Sequence, residues 1–258
     1  MTTPAALPSW TRSLPERDSM LLLEAAVPGA AVCTWRLLAD QSLPHVSPKR
    51  RKEVVGLVEK LLLDCAAGLI RPSRFLLLFH RLGAQGRREL VWGRYGFGQP
   101  VVRAALTEVI APVAARLGEP LVPEGALAVP MATWFAWLKA RQVAGASTKS
   151  AINTRGNLTV CLRAAGIVAP ATRKALGTEL RHGRPVGEAF GWLVGHQMRA
   201  EHRFEATETW ACRHSFASQF FLPEFAHAAL AVDRAVAVGV LRRSYLAGEA
   251  RLHAEEEA

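Results

Sequence analysis

The chain has 258 residues, of which 50% are hydrophobic and 21% charged, enough apolar material for a sizeable core and no basis for global disorder. Its longest uncharged apolar stretch, Gly125 to Leu138, spans 14 residues and contains Pro130. A membrane helix needs about 20, so no spanning segment is expected. Lysine and arginine number 32 against 22 acids, a net charge of +10, which points to a polyanionic partner.

Residues 1–19 hold Pro4, Pro8 and Pro15 without periodicity and read as an arm. The opening MTTPAALPSW lacks a basic region followed by an apolar run, so no secretory signal is expected. Ser47-Pro48 is a helix opening, a capping hydroxyl followed by proline at the first helical position. Val54, Leu57, Val58, Leu61 and Leu62 then recur at three- and four-residue spacing as one apolar stripe. Arg71-Pro72-Ser73 opens a second helix through Phe75, Leu76, Leu78 and Phe79, stopped near Gly83. A third runs from Pro100 through Val102, Leu106, Val109 and Ile110, where Pro112 is expected to bend or end it. Glu119 to Pro130, with three prolines and a glycine, reads as a linker.

Beyond it, Trp134, Phe135, Trp137 and Leu138 are too dense in aromatics to be exposed. Ser147 is placed to cap a helix reaching Ala165 and closed by Gly166. Pro185 and Pro223 open two more, through Phe190, Trp192 and Leu193 and through Phe225, Ala229, Val232 and Val236. The chain from Gly239 onward reads as two short strands about a tight turn. Helices followed by a small hairpin suggest a winged-helix arrangement. No internal repeat is visible in the sequence.

Enzyme signatures are absent: there is no P-loop, no GxSxG elbow and no HExxH. Gly96-Phe97-Gly98 falls short of a dinucleotide fingerprint and reads as a turn. Cys33, Cys65, Cys161 and Cys212 form no CxxC pair, so neither a disulfide framework nor a zinc module is expected, and a reducing cytoplasm fits. His196, His202, Cys212 and His214 match no zinc spacing. No metal, cofactor or catalytic residue is assigned. One segment, Cys212-Arg213-His214-Ser215-Phe216-Ala217-Ser218 with Tyr245 beyond it, resembles the arginine–histidine box and nucleophile of tyrosine recombinases. The Leu-Gly-His box expected between them is replaced by Leu230-Ala-Val-Asp-Arg-Ala-Val-Ala-Val. The plainer reading is helix packing by Phe216, Phe220 and Phe221 with Arg213 on the surface.

Charge gives the sharper signal. Between Glu124 and Glu179 lie 54 residues without an acid, carrying Lys139, Arg141, Lys149, Arg155, Arg163, Arg173 and Lys174. A solvated face usually mixes signs, so this reads as a surface for phosphate. Lys149, Asn153 and Asn157 share one helix face with Arg155 nearby, while Ile152, Leu158, Leu162 and Ala165 fall on the other. Lys49, Arg50, Arg51 and Lys52 stand at a helix start, where positive charge opposes the macrodipole and invites an anion. Arg242 and Arg243 sit on the expected hairpin, where a wing could touch DNA.

These features together resemble the BrxA family of BREX phage-defence systems. The residues that carry it are the Ser47–Leu63 helix, Glu89–Ile110 (ELVWGRYGFGQPVVRAALTEVI), and Ala146-Ser147-Thr148-Lys149 through Leu162-Arg163-Ala164-Ala165-Gly166-Ile167. The resemblance implies a small helical protein, akin in part to the NusB antitermination factor, that binds nucleic acid without catalysis beside other phage-defence proteins. The expectation is therefore an all-α protein: an arm (1–19), a helical bundle (20–120) and a winged-helix-like C-terminal domain (121–258). It binds double-stranded DNA, with RNA as the other candidate polyanion, mainly through phosphates. The rival readings are a recombinase-like strand-transfer enzyme and a protein scaffold whose basic charge is incidental.

Overall fold

The computed structural model describes residues 14–117, 128–141, 148–168 and 177–254. The expected arm up to residue 13, most of the linker, Ser147, Arg173 and Lys174 lie outside them; the arm's last four residues, Glu16 to Ser19, are instead the start of a helix. The described chain is mainly helical, with a few small antiparallel sheets. No described helix is long and apolar enough to cross a membrane.

Among the described residues one order of elements occurs three times: helix, strand, second helix, third helix, then two strands. The first run comprises α1 (Glu16–Glu24), a bridge at Ala31, α2 (Val32–Ser42), α3 (Pro48–Leu61), β1 (Cys65–Ala66) and β2 (Leu69–Ile70). Two helices, α4 (Arg74–Arg81) and α5 (Ala84–Phe97), follow it. The second run begins with α6 (Pro100–Ala105), which continues through a π-helical turn at Leu106–Ile110 into α7 (Ala111–Ala114). It goes on through β3 (Ala128–Pro130), α8 (Met131–Ala140), α9 (Thr148–Ala164), a bridge at Val168 and β4 (Gly177–Glu179). The third comprises α10 (Gly187–Ala200), β5 (Ala206–Thr207), α11 (Glu208–Arg213) with α12 (Phe216–Phe221), α13 (Phe225–Ala237), β6 (Leu241–Leu246) and β7 (Glu249–Ala254).

The pairing repeats as well. In each run the first strand pairs antiparallel with the last: Ala31 with Leu69, Ala128 with Glu179, Ala206 with Leu252. The middle strand pairs with that same last strand, through Cys65–Ile70, Val168–Leu180 and Leu241–Ala254. Each second helix starts on the residue after the first strand, and three residues separate each third helix from the strand after it. The absence of a visible sequence repeat is thus corrected at the level of topology. The reason is physical: elements this short are specified by a few buried and capping positions.

Those positions do echo one another in the first two runs. Trp35 and Trp134 are each the fourth residue of the second helix, both fully buried. Trp35 Nε1 donates to the Leu22 carbonyl (3.0 Å) and Trp134 Nε1 to Thr178 Oγ1 (3.1 Å). Each indole therefore ties its helix to the rest of its run while filling the core.

The expected helix signals take effect as read at several places. Ser47 Oγ accepts from Arg50 N (3.4 Å) with Pro48 at the first position, and Ser73 Oγ accepts from Leu76 N (3.4 Å). Gly166 closes α9 at φ +79°. Pro112 has no N–H and crowds the preceding turn; the helix widens there, and Ala111 N reaches back five residues to the Leu106 carbonyl. Gly96 and Phe97 belong to α5 rather than to a turn, and Ala128–Pro130 is strand rather than linker. The hairpin closes through Ala247 (φ 51°) and Gly248 (φ 82°), and the shorter one through Ala67 (φ 52°) and Gly68 (φ 75°). Both are the doubly left-handed two-residue turns that match strand twist.

One hydrophobic core runs through the described chain, from Leu14 to Leu252. Helix α10 packs against both α5 and α13, and glycine makes this possible: a Cβ at Gly191 would stand 2.2 Å from Ala235 Cβ, and one at Gly93 would stand 2.4 Å from Leu193 Cδ1. Arg94 binds the first run to this centre, donating to both oxygens of Asp64 (2.8 and 3.2 Å) and to the Leu61 carbonyl (3.0 Å) beneath the Phe75 ring. Burial pushes the Asp64 carboxyl up, but hydrogen bonds and charge from Arg94 outweigh it and hold the carboxyl below its ordinary range.

Candidate nucleic-acid interface

The basic residues read from the sequence fall on the third helix or the terminal hairpin of a run, and the structure sorts them sharply. At the start of α3, Arg51 is half-buried, donating to the Val46 carbonyl (3.1 Å) and lying 3.8 Å from Asp40. Arg50 lies 3.3 Å from the Glu53 carboxylate. Lys49 and Lys52 are exposed and have no partner among the described residues. They head a stripe, Lys49, Lys52, Gly56 and Lys60, that is exposed along its whole length. The neighbouring Glu59 does not oppose it freely, because Arg36 holds that carboxylate at 2.7 Å. Lys60 was missed by sequence reasoning, though its spacing from Lys52 and Gly56 carries the signal.

Helix α9 repeats the arrangement. Lys149 and Asn153 are exposed, and Gly156 follows Lys149 by seven residues, as Gly56 follows Lys49. A Cβ on either glycine would meet no atom within 4 Å. Thr154, Leu158, Cys161 and Leu162 form the buried side. Three expectations need correction. Ile152, assigned to the buried side, is 49% exposed. Arg155 turns back onto Met131 Sδ, with its Nε buried and unpartnered, so it does not present its charge outward. Asn157 is half-buried and has a partner of its own.

The acid-free segment is also less uncompensated than its composition implies. Arg141 forms a two-pronged pair with Glu108, which lies outside the segment on the π-helical turn and also accepts from Trp137 Nε1 (2.8 Å). The bonded guanidinium keeps the Glu108 carboxyl below its usual range.

The third run differs in kind. Arg243 does not face outward as a free cation; its Nη2 is 2.6 Å from Asp233 and 2.9 Å from Glu208. Arg242 is exposed. On α13 the position matching Lys49 and Lys149 is Ala226, and the position matching the two glycines is Asp233. Phe225, Leu230, Val238, Tyr245 and Leu246 are exposed around them. The basic third-helix face is thus a property of the first two runs.

The residues that resemble a recombinase box do structural work. Ser215 Oγ caps α12 by accepting from Ser218 N (3.1 Å), Phe216, Phe220 and Phe221 are buried, and Arg213 is exposed with its guanidinium 4.8 Å above the Phe225 ring. Among the described residues no group of three or more His, Cys, Asp or Glu is placed to hold a metal. His196 stacks on Trp192 (4.6 Å, 13°), and burial, aided by the charges of Arg94 and Arg199, lowers its pKa to about 4. Burial first, then nearby Glu208 and Asp233, pushes the Cys212 thiol up to about 12. Neither group is poised for chemistry near neutral pH.

Searches against protein-family models, curated proteins and solved structures found no match to this chain.

Proposed function

We propose that the protein is a non-catalytic, cytoplasmic double-stranded DNA-binding component of a BREX-type phage-defence assembly. It meets the duplex mainly through phosphates on the exposed faces of α3 and α9. The observation that carries this reading is the matched pair of third helices, each beginning with an exposed lysine and thinning to glycine seven residues on. Helix, strand, two helices and a hairpin, with the first strand on the last, is the order of a winged helix. Its third helix is the one that enters the major groove, led by its N-terminal residues. Lysine heads supply phosphate contacts, Asn153 can donate to phosphate or adenine, and a mid-helix glycine lets the DNA backbone approach closely.

The phage-defence setting rests on the resemblance to BrxA, carried chiefly by the stretch that contains α9. The third run supports a second role, docking of a protein: Phe225, Leu230, Val238, Tyr245 and Leu246 are exposed there, and Arg243 is neutralised by Asp233 and Glu208.

Duplex binding measured against salt tests the proposal. Each phosphate neutralised contributes about −0.9 to the slope of log K against log salt, so four to six contacts from the two helices give a slope of roughly −4 to −5. Little difference between unrelated duplex sequences is expected. Affinity that is indifferent to salt, or no binding at low salt, removes the reading.

A further inference from the structure

A cavity of about 780 Å³ lies among α1, the start of α5, the end of α9 and residues 181–184. Five arginines line it. Two are spoken for: Arg87 pairs with Glu24 (3.0 Å) and Arg88 with Glu16 (3.0 Å). Arg163, Arg181 and Arg184 have no carboxylate partner among the described residues, and Arg181 uses its Nε on the Gly166 carbonyl (2.8 Å). The Nε atoms of Arg87 and Arg163 are shut off from water without any hydrogen-bond partner. Arg51, Arg155, Arg243 and Arg251 share that feature elsewhere in the fold, so what marks the cavity is its three arginines without a carboxylate partner.

The three acids in the wall do not fill that role: Arg87 and Arg88 hold Glu24 and Glu16. Glu89 is 5% exposed, and its two oxygens accept from Val186 N (2.7 Å) and Gln85 Nε2 (2.8 Å). Burial also raises its pKa, favouring the uncharged form. The first turn of α5 carries no acid and no side-chain cap, so the wall it forms adds positive potential to the arginines. Met20, Leu82 and Ala164 supply apolar surface beside them.

We infer that this cavity binds a phosphate-bearing small molecule of nucleotide size, its phosphates held by Arg163, Arg181 and Arg184. Guanidinium forks match phosphate oxygens in pairs, and the volume lies in the range of about 300–1,000 Å³ usual for such ligands. A DNA backbone offers the same chemistry, but a concave cavity suits a free ligand better than a rod. The inference does not depend on the DNA-binding proposal.

The test uses the full chain in phosphate-free buffer, with ADP and pyrophosphate as probes, read by calorimetry and thermal melting against KCl at matched ionic strength. Both probes are expected to bind and to raise the melting temperature beyond the KCl control. Arg181→Gln with Arg184→Gln, both outside α9, should weaken them about tenfold or more while leaving duplex affinity unchanged. Arg184 is exposed, so Arg184→Gln alone gives the reading if the double variant fails to fold. No binding at about 5 mM probe, or equal binding by wild type and variant, overturns the inference. Displacement of ADP by duplex DNA, with both affinities lost together in the variant, overturns it too by making the cavity part of the DNA surface.

Discussion

Gly56 and Gly156 occupy the same place in two topologically matched runs, each seven residues after an exposed lysine, and a Cβ on either would touch nothing within 4 Å. Mid-helix glycine costs about 0.5–1 kcal/mol relative to alanine. Here no packing requires it, so the chain carries the cost twice without a structural return. Gly56→Ala and Gly156→Ala should each stabilise the fold by about 0.5–1 kcal/mol in urea denaturation. Gly56→Gln should fold normally and lose duplex affinity severalfold by holding the helix away from the backbone. Normal binding by Gly56→Gln would separate this glycine from DNA contact.

Gly191 makes the opposite case. The same change to alanine there drives a methyl to 2.2 Å from Ala235 Cβ across the α10–α13 contact. Overpacking of this kind costs about 1–3 kcal/mol, so Gly191→Ala should destabilise where Gly56→Ala stabilises. Denaturation midpoints of the two variants, measured side by side, test the helix assignments of both. Equal shifts of the same sign would contradict them.

His196 sets an acid limit on stability. Its pKa falls from an ordinary 6.5 to about 4 in the folded protein because burial penalises the charged ring and Arg94 and Arg199 repel it. Protons therefore favour the unfolded chain: the contribution is whole above pH 6.5 and is lost as pH falls toward 4. Between pH 7 and pH 5 this one group should remove about 2 kcal/mol of stability. His196→Phe preserves the ring against Trp192 and should flatten that part of the pH profile. An unchanged acid slope in the variant would show that His196 does not dominate it.

Arg243 was expected from sequence to touch DNA. Its guanidinium instead joins β6 to Asp233 on α13 and Glu208 on α11. Arg243→Gln should cost about 1 kcal/mol of stability and leave duplex affinity within twofold. A marked loss of DNA binding without loss of stability would restore the wing contact.

The helices were legible because their signals are local: Ser47-Pro48, Ser73 and Gly166 act within one turn of where they stand. The repeat was not. Its register depends on single bridging residues, Ala31 and Val168, whose partners lie 38 and 12 positions away, and no composition or periodicity marks such a pair. The basic clusters were legible as charge, but their availability was not. Whether Arg51, Arg155 or Arg243 faces solvent depends on Asp40, Met131 and Asp233, each brought up by folding. Lys60 and the two glycines gained meaning only once α3 and α9 could be laid over one another.

Charge reversal on α3 and α9 tests most directly whether the two helices together form the DNA-binding surface. Lys49→Glu with Lys52→Glu, and separately Lys149→Glu with Asn153→Asp, place like charge against phosphate at four exposed positions. Stability should change by roughly 0.5 kcal/mol or less in each case. Duplex affinity at fixed low salt should fall about tenfold or more in each variant and further when the two are combined, while Leu230→Glu on α13 binds as wild type. Full affinity in the combined variant at an unchanged melting temperature, or loss of binding only in Leu230→Glu, would contradict that placement.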